Sequence, residues 1–299
     1  MAMLKSGFVT IIGRPNVGKS TLMNHLIGQK IAITANKPQT TRSRIRTIYT
    51  DERGQVVFLD TPGIIKAKNK LGEYMLDTAV KTTYEADVII WLVRPEPRIG
   101  EGEKEIAKLL LRARKPVIFV VNQIDTVSEE KVSETVDAYG ELLDFDRVVT
   151  VSALRSVRTD KVLQAIYDLL PYGPLFYDED MVTDQPVREI VAEIIREKAL
   201  RLLSDEIPHG IAVTIDLMKQ RKSGLWDIEA SVCCEKESHK GIIIGKGGSM
   251  LKKIGSEARQ DAEKMLEDQV NLKLFVKVRK DWRDDKTQLR SLGYWSAPQ

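Results

Sequence analysis

Cysteine is nearly missing from this sequence. Cys233 and Cys234 are the only two in 299 residues. As neighbours on a strand they point to opposite faces, so neither a disulfide nor a metal site follows from them. Such low usage suits a reducing compartment. Histidine is as scarce: His25, His209 and His239 carry no metal-ligand spacing around them. No apolar run reaches the roughly 18 residues that a membrane-crossing helix needs. Met1 to Ser6 has neither an apolar h-region nor an Arg-rich amphipathic stretch, so no signal or transit peptide is expected. An excess of one charge is missing too. The net charge is +3, so any basic surface must be local. What is present, 42% apolar and 30% charged residues, describes a soluble globular protein long enough for two ordinary domains. No internal repeat or low-complexity segment interrupts it.

Strand and helix patterns alternate over residues 1–173. Phe8 to Ile12, Arg44 to Thr50, Val56 to Leu59, Val88 to Val93, Val117 to Val121 and Val148 to Val151 read as strands. Lys19 to Ile27, Gly102 to Ala113, Ser128 to Leu143 and Lys161 to Leu170 read as helices. The expectation is an α/β domain, a mostly parallel sheet with helices on both faces. Pro171-Tyr172-Gly173-Pro174 breaks the rhythm, and the acidic, aperiodic residues 174–186 read as a linker. Residues 187–283 then give helix Val187 to Leu203, strands Ile211 to Met218 and Trp226 to Cys233, helix Ser249 to Leu266 and strand Val270 to Val278. That is a small α+β domain, with 284–299 as a tail.

Gly13-Arg14-Pro15-Asn16-Val17-Gly18-Lys19-Ser20-Thr21 fits the phosphate-binding loop, with a strand before it and a helix after it. Its glycines let backbone N–H groups turn toward phosphate oxygens, and the helix N-terminus adds its positive dipole end. Lys19 supplies charge to the β- and γ-phosphates, and Ser20 a hydroxyl to Mg²⁺. Asp60-Thr61-Pro62-Gly63-Ile64 follows a strand. Asp60 can hold Mg²⁺ through water, and the Gly63 N–H can meet the γ-phosphate. In Lys37-Pro38-Gln39-Thr40-Thr41-Arg42 a threonine, Thr41 or alternatively Thr40, can complete the Mg²⁺ shell while γ-phosphate is present.

The base is addressed by Asn122-Gln123-Ile124-Asp125, which closes an apolar strand where ligands bind in such sheets. A carboxylate at Asp125 can accept from guanine N1–H and N2–H, donors that adenine lacks. Asn122 would fix the loop, and a backbone N–H of Ser152-Ala153 can meet guanine O6. Taken singly, each short motif is most often an ordinary loop; their order at successive strand ends is what gives them weight.

In the second half, Gly245-Lys246-Gly247-Gly248 ahead of a helix fits the G-x-x-G loop that clamps a single-stranded RNA backbone. Lys246, Lys252, Lys277, Arg279 and Lys280 supply positive charge. From Lys240 to Arg290 thirteen Lys and Arg face eight Asp and Glu, a local surplus that attracts phosphate in a salt-dependent way. A solvated face is the commoner reason for such a run. For Trp282, core is the better reading than a base-stacking platform.

The set GRPNVGKS, KPQTTR, DTPG, N-x-x-D and SA, with the G-x-x-G loop, Leu203 to His209 and Lys280-Asp281-Trp282-Arg283, resembles the Era family of bacterial ribosome-assembly GTPases over nearly the whole chain. The resemblance implies a P-loop GTPase domain followed by a KH domain. It also implies a Mg²⁺-dependent cycle between GTP and GDP. The implied partner is the 3′ end of 16S ribosomal RNA in the assembling 30S subunit, not DNA. A cytoplasmic monomer is expected; peripheral association with the cell membrane belongs to the family, but no anchor is visible here. Ile64 stands where Ras-like proteins carry a water-orienting glutamine, so intrinsic hydrolysis should be slow. In related GTPases the residue matching Asn16 coordinates K⁺, which then serves catalysis beside Lys19 and Thr41. Two positions depart from the pattern. Gln123 replaces the lysine whose stem covers the base and whose amine braces the phosphate loop, and Trp91 to Pro95 replaces a small acidic turn. The competing expectation is an RNA-binding assembly factor whose nucleotide is structural.

Overall fold

The computed structural model describes residues 3–28, 41–42, 45–64 and 67–294. They fall into two compact units, one holding most of the chain through Asp184 and the other Gln185 onward. The alternative switch residue Thr40 lies outside the described residues, as do Lys37, Pro38, Gln39, Arg44 and the end of the expected tail.

The first unit runs β1 Lys5–Ile12, α1 Lys19–Ile27, β2 Ile45–Asp51, β3 Gly54–Asp60, α2 Lys70–Glu85, β4 Val88–Val93, α3 Glu101–Ala113, β5 Val117–Val121, α4 Glu129–Gly140, β6 Arg147–Thr150 and α5 Thr159–Leu169. Its six strands lie in the order β2-β3-β1-β4-β5-β6. The β2–β3 pair is antiparallel and every other pair is parallel. All six residues of β4 are buried because both faces of the sheet are covered. Val88, Ile90 and Leu92 join Leu22 of α1 and Ile166 of α5 on one side. Ile89, Trp91 and Val93 join Ile106 and Leu110 of α3 and Tyr139 of α4 on the other. The Trp91 ring lies 5.1 Å from Tyr139 and 5.9 Å from Phe119, so this unusual residue is core. Each such side chain contributes about 1.5–3 kcal/mol by leaving water. Helix α2 went unread in the sequence; the other elements shift by a few residues at most.

The aperiodic segment after α5 is ordered against the β2–β3 hairpin at the sheet edge. Phe176 and Tyr177 donate their N–H groups to Gln55 Oε1 at 2.8 and 3.0 Å, and Gln55 Nε2 returns a bond to Tyr177 O at 3.1 Å. Ile48 N donates to Val182 O at 2.8 Å, Thr183 Oγ1 to Arg46 O at 2.7 Å, and Arg46 pairs with Asp184 at 2.8 Å. The strap thereby covers β2 backbone that would otherwise be an open sheet edge.

The second unit comprises α6 Val187–Leu202, β7 Ala212–Gln220, β8 Trp226–Cys234, α7 Glu237–Ile244, α8 Ser249–Leu266, β9 Val270–Val278 and α9 Lys286–Ser291. Its sheet is β7-β8-β9, antiparallel then parallel. Ile195, Ile228, Val232, Ile254 and Ala258 meet in its core. The expected order lacked α7 and α9; the parallel β8–β9 pair needs a crossover, and α7 and α8 form it. Cys233 and Cys234 are free and buried. Trp282 is fully buried and donates Nε1–H to Gly210 O at 2.9 Å.

Candidate nucleotide and RNA sites

The loop from Gly13 to Gly18 joins β1 to α1 at the C-terminal end of the parallel strands, where such sheets bind ligands. Gly18 has φ 99°, and a Cβ there would lie 2.4 Å from Asn122 Nδ2, so only glycine fits beside that amide. Lys19 folds back along the loop. Its Nζ donates to Arg14 O at 3.1 Å and Gly13 O at 3.3 Å. Asn122 ties together two loops that are distant in sequence. Its Nδ2 donates to Val17 O at 2.8 Å, and its Oδ1 accepts from Ala153 N at 3.0 Å. Both N–H groups of Ser152-Ala153, one of which was expected to face a purine oxygen, are donated within the protein: Ser152 N to Val157 O at 3.1 Å and Ala153 N to Asn122.

Oxygen ligands converge at the start of α1. Ser20 Oγ lies 3.3 Å from Thr41 Oγ1, and Thr41 Oγ1 donates to Asp60 Oδ2 at 3.2 Å. Asp60 is fully buried, and its Oδ1 has no hydrogen-bond partner. Two hydroxyls and a carboxylate with an unsatisfied buried oxygen form a hard-oxygen set that suits Mg²⁺. Thr61 Oγ1 donates to Ile11 O at 3.2 Å, and Ile64 N to Gly13 O at 3.3 Å, which holds the 60–64 stretch against the loop. The Ile64 side chain packs into the core. Asp125 sits in a short 3-10 turn after β5, and Arg155 Nε lies 3.7 Å from its Oδ2.

Burial lowers the pKa of Lys19 to about 8, against the raising field of Asp60. Burial raises that of Asp60 to about 6, against Lys19 and hydrogen bonds from Thr41, Thr61 and Ser20. An arriving phosphate favours the charged ammonium, so the pKa of Lys19 is higher in the complex than in the empty site. Between those two values binding takes up a proton, and affinity must fall as pH rises. GDP affinity is therefore expected to be level near neutrality and to drop above about pH 8, by at most roughly tenfold per pH unit. Titration with a fluorescent GDP between about pH 7 and pH 9 checks this; a flat profile would remove Lys19 from the phosphate contacts.

Three contacts around the site, two of them on the phosphate loop, escaped the sequence reading. Arg14 pairs with the buried Glu103 of α3 at 3.0 Å. Arg94 donates to Asn16 O through Nε at 3.1 Å and Nη2 at 2.7 Å. Arg155 faces Asp125. The pairing register offered a signal for Arg94: Ile12 lies opposite Trp91, so the first residues past β4 emerge beside the loop.

In the second unit, Gly245 has φ 73°, Gly247 φ 59° and Gly248 φ 81°, forming a turn between α7 and α8. Lys246 and Lys252 are exposed beside it. Lys277 projects with Lys273 and Phe275 from the exposed face of β9, opposite the residues that pack in the core, and pairs with Asp216 at 3.1 Å. Arg279 Nη1 donates to Ser291 Oγ at 2.7 Å, and Lys280 is exposed.

Comparison with known proteins agrees with this geometry. The family described as 50S ribosome-binding GTPase matches residues 8–123, and the KH domain family matches residues 206–283. The chain is 51% identical to the GTPase Era of Clostridium perfringens, over 98% of this chain and 99% of that protein. It is 52% identical to the GTPase Era of Clostridium novyi, with 98% and 99% covered. Among solved structures it is similar to a point variant of Aquifex aeolicus Era bound to GDP and AlF4⁻, with TM-score 0.93 and 38% identity over 97% of this chain and 99% of that one. It is equally similar to an Era complex with MgGDPNP and nucleotides 1506–1542 of 16S ribosomal RNA, with TM-score 0.94, 38% identity and the same coverage.

Proposed function

This chain belongs to the Era family of GTPases, and from that membership we propose that it couples GTP hydrolysis to the capture of single-stranded 16S ribosomal RNA near its 3′ end during assembly of the small subunit. The reaction is GTP and water to GDP and phosphate, without a covalent intermediate. The observation that carries the reading is Asn122, which joins the phosphate loop to the 152–153 loop, with Asp125 three residues further on.

Lys19 and the inward amides of residues 13–20 hold the phosphates and stabilise charge on the transferring phosphoryl group. Asp125 selects guanine. Ser20, Thr41 and, through water, Asp60 would hold Mg²⁺, which supplies charge neutralisation to the phosphates when bound. Residues 1–173 form the nucleotide part, 174–186 the connection, and 187–283 the RNA part, where Gly245 to Gly248 take the RNA backbone. Lys252, Lys277, Arg279 and Lys280 add attraction for phosphate. Among the described residues no helix is long and apolar enough to cross a membrane. The resemblance to the Era GTPases, not that absence, is the ground on which we place the protein in the cytoplasm.

Ile64 is buried and offers no polar group to the attacking water, so turnover should be slow without help. Asn16 would hold a K⁺ ion, which would supply positive charge there. Multiple-turnover phosphate release, with and without a single-stranded oligonucleotide matching the 16S 3′ end, tests the whole reading. Release is expected to be several-fold faster in K⁺ than in Na⁺ and to rise with RNA. Equal rates in the two salts would discard the K⁺ site. No response to RNA would leave hydrolysis uncoupled from RNA capture; where RNA raises GTP affinity, GTP must raise RNA affinity by the same factor.

A further inference from the structure

Asn16 lies in the left-handed region, with φ 64°, which asparagine enters more readily than most non-glycine residues. A contact from outside the loop fixes how its peptide is turned. The exposed Arg94, one residue past β4, donates to Asn16 O through both Nε at 3.1 Å and Nη2 at 2.7 Å. A peptide is planar, with its C=O and N–H antiparallel. Fixing the Asn16 carbonyl outward therefore turns the Val17 N–H inward. The next peptide is fixed in the same sense, because Val17 O accepts from Asn122 Nδ2 at 2.8 Å, which turns the Gly18 N–H inward. Successive inward N–H groups make an anion-binding concavity. The guanidinium also polarises the peptide it grips, adding positive character to the Val17 N–H. Arg94 is the charged member of this pair of clamps; Gln123, beside Asn122, carries no charge.

We infer that Arg94 is a positioning residue for the nucleotide phosphates, acting through the Asn16–Val17 peptide from outside the loop. This rests on the reading of residues 13–20 as the phosphate site. Removing Arg94 leaves every group that touches nucleotide in place, but frees one peptide to rotate. The loss should appear chiefly as faster nucleotide release, since a loosened cradle holds its ligand less long.

The test uses the full chain, with Arg94→Ala and Arg94→Lys beside the unaltered protein. The readouts are the dissociation rate of a fluorescent GDP and the melting temperature without nucleotide. GDP is expected to leave Arg94→Ala about 5–10-fold faster, the size of a charge-assisted bond weakened by solvent exposure. Melting without nucleotide should move by less than about 2 °C. Arg94→Lys, which keeps the charge but not the forked donors, should recover part of the difference. An unchanged release rate in Arg94→Ala overturns the inference. So does a faster release matched by a melting loss of several degrees, which would make Arg94 a structural prop. A wild-type chain that does not bind GDP fails the nucleotide reading itself, so the two failures are distinct.

Discussion

Asp125→Asn is expected to lower GTP affinity about a thousandfold and to make xanthosine triphosphate the preferred ligand. The carboxylate offers two acceptors to guanine, one for N1–H and one for the N2 amino group. Asparagine keeps one acceptor and puts an amide donor where the other stood, so that donor meets the N2 amino group head-on. Sites built on a polar contact reject the wrong analogue by about 10⁴–10⁵, and one surviving bond brings the loss down to about 10³. That is roughly 4 kcal/mol. Xanthine carries a carbonyl at position 2 and keeps N1–H, so it matches the asparagine edge. The fold should not suffer. Asp125 sits in a surface turn, and its ion-pair partner Arg155 is 71% exposed, so breaking that pair matters little. Competition by GTP, XTP and ATP against a fluorescent nucleotide gives the ranking. An undiminished preference for guanine would mean that Asp125 does not read the base.

Gly245→Asp should abolish RNA binding, with an affinity loss of at least about a hundredfold, while GTP hydrolysis without RNA stays at its wild-type rate. Two effects act together. Gly245 has φ 73° and ψ 172°, a region nearly closed to other residues and costing about 1–3 kcal/mol to occupy. A Cβ there would lie 2.8 Å from both the N and Cβ of Met250, so the start of α8 must shift. The new carboxylate then meets RNA phosphate. Lys246→Glu separates charge from strain, because Lys246 is exposed and nothing needs to move. It should weaken binding at every sequence and flatten the salt dependence by about one charge or more. Fluorescence anisotropy with a labelled oligonucleotide reads both variants, and circular dichroism checks the fold. Wild-type RNA affinity in both would remove this loop from the RNA surface.

What the sequence disclosed depended on how local the determinants are. Helix α8 and strand β9 were legible to the residue, because Gly247-Gly248 precedes the helical period at Ser249 and the polar Glu267-Asp268-Gln269 separates it from the alternating run at Val270. Helix α2 was not. Its threonines argue against a helix, yet Thr78, Thr82 and Thr83 satisfy their hydroxyls on carbonyls four residues back, at 2.8, 2.8 and 2.7 Å. Helix α7 hid behind Gly241 and three isoleucines, a strand-like string that tertiary burial of Ile243 turns helical. The phosphate loop, Asn122 and Asp125 stand out in the sequence as candidates because their spacing is itself the signal. The strap on β2 and the Arg94 clamp could not. Gln55 lies more than a hundred residues from Phe176, and Arg94 78 residues from Asn16. No window along the chain brings those partners together.

Asn122 has a consequence for how this pocket could change over evolution. One amide group is shared by the loop proposed to hold phosphate and the 152–153 loop proposed to border the base. A substitution there would shift both halves at once, so triphosphate grip and purine choice cannot drift apart through this position. New base preferences must come from its neighbour Asp125, and new phosphate affinities from the far side of the loop. The lineage is thereby left with separate dials for the two ends of one ligand and a fixed pin between them.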